Sequence, residues 1–209
     1  MAGLFVTLEG PEGSGKSTQL PLLVSWLSSL GYTVLHTREP GGTCISERIR
    51  DLVHDPAHTE MNPRAEILLY SASRAQLVAE VVRPALAAGQ IVICDRYFDS
   101  TYAYQGYGRG LSLEALRYIT NFATEGLKPD VTLYLDIDPE VGLQRRLKGG
   151  DEMNRLDCEA LAFHRRVRAG YMDLASAEPE RWVCIDADAA VAIVQEKLRA
   201  ALVPKLAAL

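Results

Sequence analysis

The string Gly10-Pro11-Glu12-Gly13-Ser14-Gly15-Lys16-Ser17 constrains this chain more than any other feature. It has the spacing G-x-x-x-x-G-K-S and follows the apolar run Leu4-Phe5-Val6-Thr7-Leu8-Glu9. Glycines at these positions let a backbone curl until its N–H groups converge on phosphate oxygens. The N-terminus of the following helix adds partial positive charge. The spacing lets Lys16 reach the outer phosphates of a nucleotide and lets the Ser17 hydroxyl hold Mg²⁺. Gly10, Pro11, Glu12, Gly13, Ser14, Gly15, Lys16, Ser17 and Thr18 are therefore the candidate nucleotide-binding residues. Such a loop works between a buried strand and a helix, which commits the chain to an α/β architecture.

The rest of the chain agrees with that architecture. Strand signals fall at 4–9, 32–37, 90–94, 131–135 and 182–185. Between them the pattern predicts helices over 15–30, 44–54, 63–88 (broken near Pro84) and 189–202, and a helix start at Asp138-Pro139-Glu140. That start has an N-cap acceptor, a proline at the first helical position and an acid near the positive end of the dipole. Alternating strands and helices point to a five-stranded parallel sheet flanked by helices, the three-layer arrangement of P-loop NTPases. Pro21 lies past the first turn of its helix, where loss of a hydrogen bond predicts a kink.

With 209 residues and 48% hydrophobic content, the chain fits one globular domain spanning 1–209. Its net charge is −5, and no long basic block offers a general nucleic-acid surface. Cys44, Cys94, Cys158 and Cys184 are far apart and form no CxxC pair, which argues against a metal site and suits a reducing compartment. No uncharged run reaches the roughly 18 residues a membrane span needs. The expectation is a cytoplasmic protein with no membrane partner.

Asp95 ends the apolar run Ile91-Val92-Ile93-Cys94 and is the candidate second Mg²⁺ ligand. Two classes of nucleotide protein then compete. A guanine switch would want NKxD and DxxG strings, and neither occurs. The arginines favour a kinase, because phosphoryl transfer spreads negative charge over several oxygens and positioned cations stabilise it. Arg38, Arg74 and Arg96 follow or neighbour strand ends, where ligands gather in open α/β sheets. Arg145, Arg146, Lys148 and Arg155 crowd a stretch with Gly149, Gly150 and Asp151, a composition suited to a mobile lid over about 145–157.

Further strings join the phosphate loop: Thr37-Arg38-Glu39-Pro40-Gly41-Gly42-Thr43, then Asp95-Arg96-Tyr97 leading to Ala103-Tyr104-Gln105-Gly106, then Asn154-Arg155-Leu156-Asp157. Together they resemble the thymidylate kinase family from Glu9 to about Ala175. The resemblance implies ATP-dependent phosphorylation of dTMP to dTDP, with Mg²⁺, in a homodimer built on stretches such as 63–84 and 112–124. It implies that Arg74 and Arg96 hold the acceptor phosphate and that Arg38 sits near the transferred group. Glu12 would accept the sugar 3′-OH, and Tyr104 would exclude a ribose 2′-OH. Tyr70, where the family usually has Phe, would stack on the base, with Arg50, Thr101 and Gln105 at its polar edges. The phosphate loop carries no arginine, so the transition-state cation is expected from the lid, Arg155 first and Arg145 second. A deoxynucleoside kinase of the same fold is the enzymatic alternative, disfavoured by the Arg74/Arg96 pair, because a nucleoside brings no phosphate. A non-catalytic switch protein is the alternative outside the enzymes.

Overall fold

The computed structural model describes residues 3–149 and 154–209. Strands Leu4–Glu9 (β1), Val34–Arg38 (β2), Ile91–Asp95 (β3), Val131–Asp136 (β4) and Trp182–Asp186 (β5) form one parallel sheet in the order β2-β3-β1-β4-β5. β1 lies in its middle and is buried at all six positions, as expected for a strand covered on both faces. Register pairs Leu8 with Asp95 and Arg38 with Asp95. The carboxyl ends of β1, β2 and β3 therefore lie side by side, and the phosphate loop springs from the central one.

Helices follow as Lys16–Ser29 (α1), Cys44–His54 (α2), Pro63–Leu77 (α3), Arg83–Ala87 (α4), Phe98–Thr101 (α5), Leu113–Thr124 (α6), Pro139–Lys148 (α7), Leu161–Ala177 (α8) and Val191–Leu206 (α9). α1 and α9 cover one sheet face through Leu20, Leu23, Leu27, Leu198 and Leu202 against Leu8, Ile93 and Leu133. The other face packs Phe5, Val92 and Cys94 against Leu77, Val82 and Tyr97. Beside it an aromatic cluster joins Tyr104, Tyr134, Phe163, Tyr171 and Trp182, with Tyr134 and Tyr171 stacked at 5.0 Å.

Local chemistry accounts for most helix starts. Thr43, Asn62, Ser112 and Asp138 each accept a hydrogen bond from a first-turn N–H. α1 remains continuous through Pro21. The segment expected as one helix over 63–88 departs from α-helical geometry earlier than Pro84, at a π-helical turn over Val78–Val82. A second π-helical turn, Tyr102–Gly108, continues α5. Such turns recur at functional sites. Here the second one carries Tyr104 and Gln105. α8 has Ala160 as its N-cap, with no side-chain cap and no first-turn acid, so the sequence carries no start signal for it. The expected lid over 145–157 begins on α7 and includes residues 150–153, which lie outside the described residues.

Candidate active site

A cavity of about 750 Å³ opens at the carboxyl ends of β1, β2 and β3. At its floor, Gly13 takes a left-handed φ of 69°. A Cβ there would stand 1.9 Å from the carbonyl oxygen of Gly142 on α7, and a Cβ on Gly142 would stand 2.2 Å from the carbonyl of Glu12. Glycine on both sides is what lets the loop and α7 meet. The Lys16 ammonium donates to the carbonyls of Gly10 and Pro11 and to Ser14 Oγ at 2.9–3.3 Å. Burial, with Arg96 adding to it, holds its pKa down at about 8. A bound phosphate would reverse that shift, since an anion favours the charged amine.

Arg96 follows β3 at the rim of the cavity. Its backbone φ is 66°, a left-handed conformation costing about 1 kcal/mol outside glycine. Hydrogen bonds from Arg96 N to Leu8 O and from Tyr97 N to Glu9 Oε1 fix that bend. The guanidinium donates through Nη2 to Glu12 Oε1 at 2.8 Å and through Nη1 to Tyr171 Oη and Ser100 Oγ, and it lies 4.9 Å over the Tyr104 ring. Tyr104 Oη donates to the same Glu12 oxygen at 2.7 Å. Burial acts to raise the Glu12 pKa, but Arg96 and Lys16 overcome it and bring the value down to about 2. Glu12 is thus a fixed carboxylate.

Arg74 is buried and donates through Nε to Glu39 Oε2 at 2.7 Å, while its Nη1 is buried without a partner among the described residues. Arg38 reaches the cavity from β2 and pairs with Glu47 at 2.9 Å, half-exposed. Arg50 donates to the Pro40 carbonyl at 2.9 Å. Arg50, Tyr70, Thr101, Tyr104 and Gln105 all line the cavity, Tyr70 with its phenol pushed upward by burial. Gln105 Nε2 donates to Glu66 at 2.7 Å.

The fit to Mg²⁺ can be tested at Asp95. Its Oδ1 is buried without a hydrogen-bond partner among the described residues, and Ser17 lines the same cavity. Among the described residues no group of three His, Cys, Asp or Glu could cage a metal. Mg²⁺ beside phosphates needs no cage, since one or two carboxylates, substrate oxygens and water complete its shell. The orphaned Asp95 oxygen and the Ser17 hydroxyl fit it.

The arginines expected in a lid take different positions. Arg155 does not line the cavity: it pairs with buried Glu66, and its Nε donates to Val53 O. The cause is local. Asn154 Oδ1 accepts from the N–H groups of Leu156 and Asp157, closing a turn that points Arg155 toward α3. Arg145 and Arg146 do line the cavity. Arg145 donates to Ala187 O and Asp188, bracing the loop before α9, and Arg146 pairs with Asp157.

Sequence reasoning missed three contributors. Glu9 is fully buried and accepts from Tyr97 N, Ser100 Oγ and Tyr171 Oη, with burial and then Asp99 pushing its pKa up to about 7. Tyr171 comes from α8, which had no start signal. Glu66 lies one turn before Tyr70 on α3, and only its buried position sets it apart. An apolar wall of Ala187, Ala189, Ala190, Val191 and Val194 closes the cavity beside Arg145.

The comparisons with known proteins agree with this geometry. The family model described as Thymidylate kinase matches residues 8–198. A thymidylate kinase of Roseiflexus sp. (strain RS-1) is 53% identical over 217 residues, covering 99% of this chain and 96% of the relative. One from Deinococcus radiodurans is 58% identical over 185 residues, covering 88% of this chain and 89% of the relative. The crystal structure of thymidylate kinase from Ehrlichia chaffeensis superposes with a TM-score of 0.77 at 31% identity, covering 97% of this chain and 99% of that one. By sequence, fold and the residues gathered around the phosphate loop, the chain belongs to the thymidylate kinase family.

Proposed function

We propose that this protein transfers the γ-phosphoryl group of ATP to dTMP, giving ADP and dTDP, in the cavity described. One observation carries the reading: a single cavity joins the phosphate loop to a second cationic pocket built from Arg74 and Arg96. One anion site serves a donor. Two facing sites serve a donor and an acceptor that already carries a phosphate, which disfavours the deoxynucleoside kinase alternative.

The acceptor phosphate binds Arg96 and the unpartnered Nη1 of Arg74, two guanidinium groups suited to phosphate oxygens. Glu12 Oε1 is occupied by Arg96 and Tyr104, which leaves Oε2 for the sugar 3′-OH. The Tyr104 ring, fixed by that bond, fills the space of a 2′-OH. Tyr70 stacks on the base, with Arg50, Thr101 and Gln105 at its edges. On the donor side the phosphates lie on Gly13–Thr18, and the adenine lies against Arg145 and the apolar wall from Ala187 to Val194.

An acceptor phosphate oxygen bonds to the γ-phosphorus while the bond to the β–γ bridging oxygen breaks, and ADP leaves with that electron pair. No covalent enzyme intermediate is needed. Ser17 and Asp95 would hold Mg²⁺, which would supply positive charge beside the donor phosphates. Lys16, Arg38 and Arg146 meet the charge that develops on the equatorial oxygens. Arg146 replaces Arg155 as the lid cation because it faces the cavity. Arg155 and Arg145 act as braces.

The chain works as one domain, in the cytoplasm and without nucleic acid. No helix among the described residues is long and apolar enough to cross a membrane. A homodimer forms through α3 and α6, where Leu68, Tyr118 and Phe122 are 57%, 74% and 87% exposed. Incubation with ATP, Mg²⁺ and a panel of nucleosides and monophosphates, following ADP, tests the activity. Phosphorylation of thymidine but not dTMP would overturn it, and ATP loss without acceptor dependence would favour a switch protein.

A further inference from the structure

Glu66 has a position that the transfer chemistry does not use. It is fully buried on α3, behind the base end of the cavity rather than in its lining. Its Oε1 accepts Gln105 Nε2 at 2.7 Å, and its Oε2 accepts Arg109 and Arg155. Burial acts to raise its pKa, but the bonds from Gln105 and Arg155 and the charge of Arg109 bring it below the ordinary carboxylate value. Ionised, it has acceptors only.

That fixes which way the Gln105 amide faces. A glutamine amide offers a donor on one arm and an acceptor on the other, and rotation by half a turn exchanges them. A neighbour that only accepts fixes the choice, because the flipped amide would set its oxygen against a carboxylate. With the NH₂ arm held by Glu66, the Oε1 arm has no hydrogen-bond partner among the described residues, and Gln105 lines the cavity. We propose that Glu66 is a specificity-positioning residue: it locks Gln105 so that a carbonyl oxygen meets position 3 of the acceptor base. This rests on the assignment of the acceptor site to a pyrimidine nucleoside monophosphate.

The consequence is chemical. Thymine and uracil carry N3–H, a donor that the Gln105 oxygen accepts. Cytosine carries an N3 lone pair, which would face that oxygen and leave both acceptors unpaired. Sites built around one hydrogen-bond polarity reject the mismatched ligand strongly. The selected class is therefore 2′-deoxynucleoside monophosphates with a 4-oxo, N3–H pyrimidine. Because Arg155 ends on the same carboxylate, the string Asn154–Asp157 and the base reader share one anchor.

The test compares kcat/KM for dTMP and dCMP in wild type and Glu66→Gln. A glutamine at 66 can donate as well as accept, so it releases the Gln105 amide to rotate. The dTMP-over-dCMP ratio should narrow at least about tenfold, through KM. Packing damage alone would lower both activities and leave the ratio unchanged, so an unchanged ratio in a folded variant overturns the proposal. If Glu66→Gln does not fold, the Gln105 side-chain amide signal of wild type decides by NMR. Its NH₂ protons should keep their NOE contacts to the Arg109 and Arg155 side chains when dTMP is added, because the donor stays on Glu66. Loss of those contacts, with new ones from the NH₂ protons to the base, would overturn the proposal. A wild-type enzyme that phosphorylates no pyrimidine monophosphate would refute the proposed function itself, a separate outcome.

Discussion

Replacing Arg74 with methionine tests whether the acceptor pocket is held by a buried ion pair. Arg74 and Glu39 are 2% and 4% exposed at their side chains, and the guanidinium meets a single carboxylate oxygen at 2.7 Å. Burial pushes the Glu39 carboxyl up, and Arg74 pulls it back. Methionine keeps much of the side-chain stem but removes the pull. The carboxylate can then stay charged in an apolar site, at several kcal/mol, or take up a proton. Protonation sets the ceiling. From the ordinary value of 4.5, neutralising Glu39 at pH 7 costs about 3 kcal/mol, at about 1.4 kcal/mol per unit. Loss of the guanidinium from its place 5.5 Å over the Tyr97 ring adds about 0.5–1 kcal/mol.

The pH dependence separates this account from simple loss of packing. Burial already holds the Glu39 pKa above 4.5 in wild type, and losing Arg74 raises it further, so the folded variant binds the extra proton more strongly. Stability relative to wild type is then greatest below that unfolded value and is lost as pH rises toward the folded one. The gap between variant and wild type should be about 4 kcal/mol at pH 7 and fall toward about 1.5 kcal/mol near pH 5. Urea unfolding at pH 5, 6 and 7, with m-values compared, measures it. Arg74→Met/Glu39→Gln, which carries no buried acid at 39, should recover about 2 kcal/mol at pH 7 and show a gap independent of pH. A single-variant gap that is flat with pH, or a double variant no more stable than the single, would refute the reasoning.

Arg96→Ala removes two-sided anchoring of the acceptor phosphate and should raise KM for dTMP about 10- to 100-fold, measured by coupled ADP release; wild-type turnover and dTMP affinity would mean that Arg96 is misassigned. Asp95→Asn keeps the shape of the side chain but not its charge, so the Mg²⁺ concentration for half-maximal rate should rise; an unchanged Mg²⁺ titration would remove Asp95 from the metal site. Arg146→Ala should lower kcat by about 10³-fold if it supplies the transition-state charge. Arg155→Ala should instead lower stability by about 1–3 kcal/mol while costing less in kcat, because Arg109 still pairs with Glu66; the reverse ranking would restore Arg155 as the lid cation.

The features readable in the sequence are those whose chemistry is local. The phosphate loop is a contiguous string whose glycines and lysine have one geometric solution, and the strand signals around it follow from burial on both faces of β1. The Asx, Ser and Thr caps of α2, α3, α6 and α7 act within a few residues, so those starts are legible too. α8 begins at Ala160 with no cap, and its stability comes from Phe163, Val167 and Tyr171 packing on elements distant in the chain. The π-helical turns are equally silent, since nothing in Val78–Val82 or Tyr102–Gly108 announces an extra residue per turn.

Arg155 shows how the same limit acts on a functional residue. Charge and neighbourhood made it look like the cation that faces the phosphates, and a basic stretch before it supported that view. Its direction was set instead by two things no short window contains: the turn closed by Asn154 Oδ1, and a carboxylate 89 positions earlier, Glu66. A guanidinium goes where an acceptor that cannot be solvated needs it, and a fully buried carboxylate outranks a cavity open to water. In the proposed mechanism the string Asn154–Asp157 thus holds the base reader's anchor in place and leaves the charge at the transferred group to Arg146, whose own partner Asp157 lies within that string.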